Sequence, residues 1–545
     1  MIEKVNEKYI FRLLIIAAII FSIFSFITFY QNNQLNLAYG DAVSRLNITR
    51  KIIDNLNPGL GQIGSVWLPL PFILMLPFIG NEYLWHSGIA GYIVSGLSFI
   101  FTILYLYKFG ILAFNNKLSA IIMSLFGLTS INYLYVQTTA MSESLFILTV
   151  IGATYHLYKW AKTKQESNLF TGALYISACT FIRYEGYFVF LMALIAVGLS
   201  TYIKTKSKRE LEGNLIIFGT LAVTGIIAWT LYNWAIFGNP FYWVDIYTGK
   251  SSIISSEVIQ VQVPAPATVD TSNKISIFKA IYLYWSSIAQ TNGIYITVMS
   301  TIAAIVFTLI KLFNKKLFNR PENLFLYLPM GVFVFTAFAV YGGFPLELPA
   351  LSISNLMNKE TSYQGEYNLR YGLNMLPFVA IFIGWMVSLR VYFKVLAIAV
   401  LLIQIVTTFW FPVYSVYQIP QNFLGKSSSH HKGINVASQW LKNNYNGGLI
   451  MISAQNHNPD MFFLGYDYKN YIHEGAGKYW LESRENPQRY ATWIYMYNAQ
   501  KSKDDSVTKY ISANPNTALF YDLVYQDGTY EIYKIKTHPE IEVKQ

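Results

Sequence analysis

The sequence predicts a polytopic α-helical membrane protein of about eleven transmembrane helices, followed by an extracytoplasmic α/β domain. Of its 545 residues, 54% are hydrophobic and only 13% are charged, whereas soluble proteins carry about 25% charged residues. Apolar stretches recur that are long enough to cross about 30 Å of hydrocarbon, which takes roughly 20 helical residues. After Pro412 the pattern changes to that of a small soluble domain. We therefore predict a membrane domain over residues 1–413 and a soluble domain over 414–545.

Each long apolar stretch predicts one span. The stretches cover residues 10–30, 88–107, 118–137, 141–158, 168–182, 186–203, 213–237, 293–313, 323–341, 371–388 and 393–413. The first is too long for a signal peptide and lacks a small-residue cleavage site, so we expect a retained anchor. The stretch 67–80 is apolar but short and rich in proline, which favours an interfacial or re-entrant segment.

The distribution of basic residues predicts the orientation. The chain has 40 basic and 29 acidic residues, and the excess lies before residue 421, with 27 basic against 17 acidic. With the N-terminus in the cytoplasm, eleven spans place 18 basic and six acidic residues inside, against nine basic and eleven acidic residues outside. This asymmetry follows the positive-inside rule. The basic charge thus reports topology, and we predict no nucleic-acid partner.

The outer side carries the long loops, 31–66, 238–292 and 342–370, where function usually resides. In the first loop, apolar Val43, Leu46, Ile53 and Leu56 recur at helical spacing, which predicts a helix lying on the membrane that begins near Asp41. Asp41 has two interpretations: a helix cap or a catalytic carboxylate.

Further ionisable residues fall at the outer ends of spans, where charge near the bilayer is costly and tends to serve function. They are Glu143 between the third and fourth spans, Arg183 and Glu185 between the fifth and sixth, and Arg370 before the tenth. Each alone fits an interfacial side chain or an ion pair, for example Arg183 with Glu185. Together with Asp41 they predict one outer site, which requires that Asp41, Glu143, Arg183 and Arg370 converge on one cavity open to both outer water and lipid.

Arginines and carboxylates at the membrane surface suit a lipid-linked phosphate. Guanidinium groups bind phosphate bidentately, and a carboxylate can accept the proton of an attacking hydroxyl. The cytoplasmic loops show no Gly-rich phosphate loop and no H-E-x-x-H motif. We therefore predict transfer of a sugar from a polyprenyl phosphate on the outer side.

These features resemble the GT-C superfamily, and most nearly its glycosyltransferase family 39-like members, the protein O-mannosyltransferases and aminoarabinose transferases. The resemblance rests on the N-terminal span, Asp41 opening an outer helix, the Pro-rich segment 64–71, Glu143 in the next outer loop and the outer C-terminal domain. It implies inverting transfer from a polyprenyl-phosphate sugar, with Asp41 as the general base and Glu143 at the second acidic position.

The sequence departs from these relatives in two places. Asp41 stands between Gly40 and Ala42, where relatives often have an acidic pair, and no Lys precedes the Pro-rich segment. Phosphate binding then falls to arginines. We assign it to Arg183, Arg370 and Arg45, and we assign supporting roles to Glu185, Tyr184, Gln62 and Trp67.

The predicted enzyme is a multi-pass protein of the plasma membrane that takes a polyprenyl-phosphate sugar and an acceptor protein, lipid or polysaccharide. The sequence indicates no cofactor, and a divalent metal is compatible with it but not indicated by it. Two alternatives stay open: a transporter, and a ligase or polymerase that moves a whole glycan from a lipid-linked substrate.

The soluble tail predicts a helix over 436–445, strands over 448–453 and 492–497, a helix over 505–512 and a hairpin over 518–534 that turns at Asp527-Gly528. Two of its motifs, His457 with Asp460 and residues 471–475, could carry chemistry, although a lone His in a polar loop seldom binds metal. His430-His431 indicates a linker and the loop 250–274 a mobile cover. The stretch 275–290 predicts an amphipathic helix whose Tyr282, Tyr284 and Trp285 line either a lipid groove or the aromatic belt.

Overall fold

Helices make up most of the protein, which the computed structural model describes over residues 6–247, 275–313, 320–343, 369–410, 434–498 and 505–536. The bundle helices are α1 (Glu7–Gln31), α2 (Gly40–Ile53), α3 (Leu70–Ile79), α4 (Glu82–His86), α5 (Ile89–Phe114), α6 (Lys117–Thr129), α7 (Ile131–Val136), α8 (Glu143–Thr163), α9 (Glu166–Thr180), α10 (Glu185–Thr205), α11 (Lys208–Ala222), α12 (Thr224–Phe237), α13 (Tyr242–Tyr247), α14 (Ile277–Asn292), α15 (Ile294–Phe313), α16 (Met330–Tyr341), α17 (Leu376–Val387) and α18 (Val391–Trp410). Four 3-10 turns join them: Leu35–Leu37, Leu60–Ile63, Pro321–Tyr327 and Leu369–Met375.

The eleven predicted spans all contain helix, but their number is not confirmed. Six helices in the described ranges are long and apolar enough to cross a membrane, or seven if the pair α11 and α12, bent by 42°, is one span. The predicted span 118–137 is two helices, because α6 ends at Thr129 and α7 begins at Ile131. The polytopic helical class predicted from composition is confirmed. The apolar segment near 70 is the ten-residue helix α3, which is too short to span.

Small residues let the bundle helices approach closely. A Cβ on Gly91 of α5 would lie 2.3 Å from the Cβ of Ala140, and one on Gly110 would lie 2.5 Å from the Cα of Ala120. Such close backbone contacts are a common source of packing energy between helices in lipid, where burial from water contributes little. Large apolar side chains remain exposed on the outer helix faces, including Ile16, Phe24 and Ile216.

The C-terminal unit, defined here as residues 434–498 and 505–536, is a small α/β fold. Its helices are α19 (Val436–Asn444), α20 (Asn458–Leu464), α21 (Lys478–Ser483), α22 (Ser506–Ile511) and α23 (Pro515–Phe520), and its strands are β1 (Leu449–Ile452), β2 (Tyr471–Ile472), β3 (Ala491–Tyr497), β4 (Tyr521–Gln526) and β5 (Tyr530–Ile535); two 3-10 turns are Tyr468–Asn470 and Pro487–Arg489. The strand order is β2-β1-β3-β5-β4. β1 pairs in parallel with β2 and β3, while β5 pairs antiparallel with β3 and β4.

The predicted elements of the tail are all present, with two differences. The hairpin begins at Tyr521, because Asn514 accepts the backbone N–H of Asn516 and starts a helix over Pro515–Phe520. The strand Tyr471–Ile472 was not predicted, since two residues show no periodicity. The predicted domain boundary at 413–414, the linker His430-His431, the loop 250–274 and most of the loop 342–370 lie outside the described residues.

Helix α2 is present as predicted, and other parts of the chain cover it. It packs against α3 and the turn Leu60–Ile63 on one side and against α20 of the C-terminal unit on the other. Its polar residues are therefore buried along with its apolar ones, including Asn47, Thr49 and Lys51. The helix lies between the bundle and the C-terminal unit.

Candidate active site

Four separate parts of the bundle bring charged side chains to one place. They are Asp41 and Arg45 on α2, Glu143 at the start of α8, Arg183 and Glu185 at the turn into α10, and Arg370 in the turn Leu369–Met375. Each stands at or near a helix start or a turn between helices, so residues far apart in the sequence meet at one end of the bundle.

The side chains form an alternating chain of charges. Arg370 donates to Asp41 through Nη2, and its Nε lies 3.2 Å from Glu143 Oε1. Arg183 donates through Nη1 to the same Glu143 oxygen at 3.2 Å. Arg183 also donates to Glu185 Oε1 through Nε and Nη2, at 2.9 and 2.8 Å. The structure thus brings the four side chains together, and two of them, Arg183 and Arg370, line the cavity beside the cluster.

Asp41 is not a helix cap. The N-cap of α2 is Tyr39, whose side chain makes no capping bond, and the Asp41 carboxylate accepts from Arg370 instead. Burial opposes ionisation of this carboxyl, but the nearby guanidinium groups, Arg370 foremost and then Arg45 and Arg183, outweigh it and hold the pKa of Asp41 below its usual value. Asp41 is therefore a carboxylate at neutral pH.

The three carboxylates differ in access. The Asp41 side chain is 35% exposed, that of Glu185 is 8% exposed and that of Glu143 is 0% exposed. Glu143 lies behind the arginines, and its Oε2 has no hydrogen-bond partner. Of the three, Asp41 is the most exposed, whereas Glu185 is the one that lines the neighbouring cavity.

Arg45 differs from Arg183 and Arg370 because it forms no salt bridge with the carboxylates of the cluster. Its guanidinium lies 4.5 Å from the ring centre of Trp67 and 5.7 Å from that of Phe72. The residue is only 5% exposed, yet its Nε and Nη1 have no hydrogen-bond partner. Burial lowers the pKa of Arg45 to about 10, against the opposing effect of Glu143 and Asp41. The side chain is still a cation at neutral pH, and it has donor capacity to spare.

Two aromatic rings fix the paired arginines. The Tyr371 ring lies 4.8 Å from the Arg183 guanidinium and 5.3 Å from that of Arg370. The Tyr39 ring lies 5.1 Å from Arg370 on another side. Sequence reasoning missed both tyrosines as site residues, although Tyr371 adjoins Arg370 and Tyr39 stands two residues before Asp41. A cation–π contact limits how far a guanidinium can turn.

A cavity of about 280 Å³ opens beside this cluster. One part of its wall is charged and the rest is apolar and aromatic. The lining residues are Arg45, Val66, Trp67, Leu68, Ile182, Arg183, Tyr184, Glu185, Tyr187, Trp243, Val244, Phe335, Thr336, Ala339, Arg370 and Tyr371. All three arginines line it, and Asp41 lies behind Arg370, to which it is hydrogen-bonded. Nothing in the sequence marks the cavity residues of α13 and α16, since they are ordinary apolar positions until the helices pack.

Helix α14 holds the turn that carries Arg370. Ser287 donates to the Leu369 carbonyl at 2.8 Å, and Tyr284 donates to the Tyr371 carbonyl at 3.1 Å. The approach is so close that a Cβ on Gly372 would lie 2.4 Å from the backbone carbon of Ser287. Tyr284 is thus buried and structural, whereas Tyr282 is 59% exposed and remains a candidate for the aromatic belt.

The predicted supporting residues separate. Glu185, Tyr184 and Trp67 line the cavity, and Tyr184 stacks on Trp243 with ring centres 4.7 Å apart. Gln62 does not join them: its Nε2 donates to the carbonyls of Asn57 and Gly475, at 2.7 and 2.8 Å. A polar residue in an outer loop can serve either role, and the sequence does not show which.

His457 of the C-terminal unit forms a closed ion triad. Its Nδ1 lies 3.0 Å from Asp460 Oδ2 and its Nε2 lies 3.0 Å from Asp505 Oδ2. Burial opposes the charged form, but the two carboxylates raise the pKa of His457 to about 9. Within the described residues, no group of three or more His, Cys, Asp or Glu side chains is placed to hold a metal ion.

Comparison with known proteins gives similar solved structures only. No family model and no curated protein matches the chain. ArnT from Cupriavidus metallidurans, solved bound to undecaprenyl phosphate and in the apo state, is 11% identical with a TM-score of 0.48, covering 94% of this chain and 97% of that chain. The archaeal oligosaccharyltransferase AglB from Archaeoglobus fulgidus, in complex with an inhibitory peptide and a dolichol-phosphate, is 9% identical with a TM-score of 0.46, covering 99% of this chain and 75% of that chain. Those ligands belong to the two solved proteins, and the function proposed below rests on this chain's own side chains.

Proposed function

We propose that the protein transfers a single sugar from a polyprenyl-phosphate donor to an acceptor hydroxyl, with Asp41 as the general base. The observation that carries the proposal is Arg45, a buried cation on the cavity wall with two unpartnered donors. Leaving such donors unpaired in the protein interior is costly. A ligand with a negative charge would complete the site.

The charge balance favours one phosphate over two. The site holds three arginines and three carboxylates, which cancel formally. Arg183 and Arg370 form salt bridges with these carboxylates, whereas Arg45 forms none with them and keeps two unpartnered donor atoms. A phosphate that joins a lipid to a sugar is a diester with one negative charge. A pyrophosphate in that position carries two. The one positive charge of Arg45 therefore matches a monophosphate donor and disfavours a lipid pyrophosphate.

The remainder of the cavity suits the donor's other parts. Beyond the arginines, the wall is apolar and aromatic, with Trp243, Phe335 and Ala339 on α13 and α16. Small-molecule sites combine such an apolar lining with a few polar groups that fix the orientation. The first isoprene units would pack on this wall, so that the phosphate end is directed at Arg45 and Arg183.

The proposed reaction is a single displacement. The acceptor oxygen forms a bond to the anomeric carbon as the bond from that carbon to the phosphate oxygen breaks, and the bonding electrons leave with the phosphate. The acceptor proton passes to Asp41, which later releases it to water. The products are the glycosylated acceptor, with inverted configuration, and polyprenyl phosphate. Arg45 and Arg183 stabilise the charge that develops on the leaving phosphate.

Arg370 couples the base to the donor, because it contacts Asp41 and also lines the cavity. A carboxylate held by a guanidinium is a weak base. When a donor phosphate shares Arg370, the pKa of Asp41 should rise. Since kcat/KM reports groups of the free enzyme and kcat those of the substrate complex, we expect the acid limb of kcat to lie at higher pH than that of kcat/KM.

Glu143 and Glu185 act as positioning residues in this proposal. Glu143 contacts Arg183 and Arg370, and Glu185 contacts Arg183. A buried carboxylate between two guanidinium groups fixes both and reduces their mutual repulsion. Glu143 therefore holds the phosphate-binding arginines in place, while the proton transfer is assigned to Asp41 alone.

The proposed location is the plasma membrane, with the N-terminus cytoplasmic and the C-terminal unit outside. The basic loops support this orientation, because Lys204, Lys206, Lys208 and Arg209 all lie at the end of α10 that is far from Glu185. The site then faces the extracytoplasmic side, where the acceptor is a protein, a lipid or a polysaccharide.

The test is donor turnover by the purified protein in lipid nanodiscs. Polyprenyl-phosphate-linked and polyprenyl-pyrophosphate-linked hexose, N-acetylhexosamine and pentose are supplied with acceptor extracts. The two leaving groups, free polyprenyl phosphate and free polyprenyl pyrophosphate, are followed by mass spectrometry. We expect release from a monophosphate donor only.

Asp41→Asn should lower kcat by about 10²- to 10⁴-fold, the usual contribution of a general base. Asp522→Asn is the matched control, because that side chain is 65% exposed on β4. A wild-type rate for Asp41→Asn, or release from pyrophosphate donors alone, contradicts the proposal.

A further inference from the structure

We infer that the C-terminal unit is a clamp that positions the catalytic helix α2, and that Asn458 is its principal positioning residue. The inference rests on the proposed function in one respect, the role of Asp41 as base. It assigns the unit to the active-site scaffold, in place of a role in binding the acceptor. The contacts that carry it run along α2 and the loop that follows.

Asn458 forms hydrogen bonds with the turn of α2 that contains Arg45. Its Nδ2 donates to Ser44 Oγ at 3.1 Å. Its backbone carbonyl accepts from Asn47 Nδ2 at 2.9 Å, and its side-chain oxygen accepts from the same amide group. Ser44 and Asn47 lie on either side of Arg45 and within two turns of Asp41. One residue of the C-terminal unit thus fixes the part of α2 that carries both proposed functional groups.

Asn458 itself stands on a stiff support. It is the first residue of α20, and the preceding residue is His457, which is held between Asp460 and Asp505 at 3.0 Å each. All three side chains of this triad are nearly or fully buried. The residue that bonds to α2 therefore belongs to the core of the C-terminal unit and not to a loose loop.

The crevice of the C-terminal sheet is filled by the bundle. In open α/β sheets, ligands bind beyond the carboxyl ends of parallel strands, where neighbouring connections diverge. Beyond the ends of β1 and β2, His473 Nε2 meets Asn55 Oδ1 at 3.2 Å, and the Gly475 carbonyl accepts from Gln62 at 2.8 Å. Burial lowers the pKa of Lys51 on α2 to about 8, against the opposing effect of the Glu474 carboxylate. The bundle therefore occupies the place where such a unit would take a ligand.

The position of α2 matters because the chemistry is sensitive to distance. A displacement of about 1 Å can lower a catalysed rate by about a hundredfold. Asp41 reaches Arg370 from the first turn of α2, so a loosened helix would shift the base relative to the donor. The clamp would act on the rate by keeping Asp41 and Arg45 in register with Arg370.

Asn458→Ala in the full-length protein tests the inference. We expect kcat to fall about ten- to a hundredfold, and amide hydrogen exchange to rise in residues 40–53. Asn458→Asp should restore most of the rate, because its carboxylate still accepts from Asn47 and can accept from the Ser44 hydroxyl. Asn514→Ala is the matched control: that side chain donates to the carbonyls of Arg484 and Glu485, at 3.3 and 2.9 Å, within the C-terminal unit. It should leave exchange in α2 and kcat unchanged.

The two proposals fail in different ways. If the exchange of residues 40–53 in Asn458→Ala equals that of the wild type, the clamp is overturned whatever the enzyme does. The same holds if Asn458→Ala and Asn514→Ala lower kcat equally, since the effect is then one of stability. If α2 loosens in Asn458→Ala but the wild-type protein transfers no sugar, the clamp stands as structure and the proposed function is wrong.

Discussion

Two buried arginines on α2, Arg45 and Arg50, show how differently one helix can use the same side chain. Arg45 and Arg50 are 5% and 6% exposed, and each stacks on a tryptophan, Trp67 at 4.5 Å and Trp85 at 4.8 Å. Arg50 pairs with three carboxylates and two carbonyls. Arg45 leaves Nε and Nη1 without a partner beside a cavity.

The difference separates stability from function. A buried cation whose donors are all satisfied joins elements together, and Arg50 joins α2 to α3, α4 and the C-terminal unit through the carbonyls of Ile79 and Gly80 and the carboxylates of Glu82 and Asp467. A buried cation with free donors contributes little stability and is better explained by a ligand. Burial alone does not distinguish the two.

The largest expected effect is the loss of stability on replacing Arg50, the arginine whose donors all have partners. Arg50→Gln breaks the buried pair with Asp54 and the partly exposed pairs with Asp467 and Glu82. We expect the free energy of unfolding to fall by about 3–5 kcal/mol, the range for a broken buried ion pair. Denaturant unfolding in detergent micelles measures it. Retention of wild-type stability would show that satisfied donors are no guide to a structural role.

A second prediction extends the comparison to the other satisfied cluster, His457 with Asp460 and Asp505. The pKa of His457 is raised from its usual value near 6.5 to about 9. Protonated His457, held by the two carboxylates, therefore stabilises the folded unit fully below about pH 6.5. This contribution to the free energy of unfolding, about 3 kcal/mol, is lost as the pH rises through 9. The pKa of Asp505 is lowered: burial raises it, but the bond to His457 outweighs burial, so stability is also lost in strong acid.

Thermal unfolding of the C-terminal unit in the full-length protein should thus show a falling midpoint between pH 6.5 and 9. In His457→Gln the protein should be less stable at the lower end of this range and the slope should disappear. A slope of the same size in the variant would assign the pH dependence to other groups.

A third, smaller effect concerns the support of Arg370. Gly372→Ala places a Cβ 2.4 Å from the backbone carbonyl carbon of Ser287. This distance is too short for two atoms that are not bonded, so the turn must move away from α14. We expect a loss of stability of about 1–3 kcal/mol together with a lower kcat. Gly213→Ala on α11 is the control, because no atom lies within 4 Å of the position that its Cβ would take, and it should be neutral or stabilising.

Sequence reasoning reached the class of fold and the residues of the charged cluster, because apolar runs and charges at span ends are local patterns. Asp41, Glu143, Arg183 and Arg370 could be assigned to one side of the bundle from charge asymmetry alone. The tail's helices and strands followed from periodicity and from the turn at Asp527-Gly528. These signals lie within short windows of the chain.

What the sequence could not predict depends on tertiary contact. The burial of α2 follows from its contact with Asn458, which lies 414 positions after Ser44 in the chain. Gln62 contacts the C-terminal unit, whereas Trp67 lines the cavity. This difference depends on the path of the loop between α2 and α3. The unequal exposure of Asp41 and Glu143 likewise appears only once the arginines pack around them.

The most direct test of the account compares the two arginines of α2 in one binding measurement. Polyprenyl phosphate is titrated into the wild type, Arg45→Gln and Arg50→Gln in detergent micelles, and unfolding of each protein is followed in parallel. We predict that Arg45→Gln binds about ten- to a hundredfold more weakly, which corresponds to about 1.4–2.8 kcal/mol, with no loss of stability. Arg50→Gln should lose stability and much less affinity. If Arg45→Gln binds polyprenyl phosphate as tightly as the wild type, Arg45 is not the phosphate site and the proposed function loses its principal support.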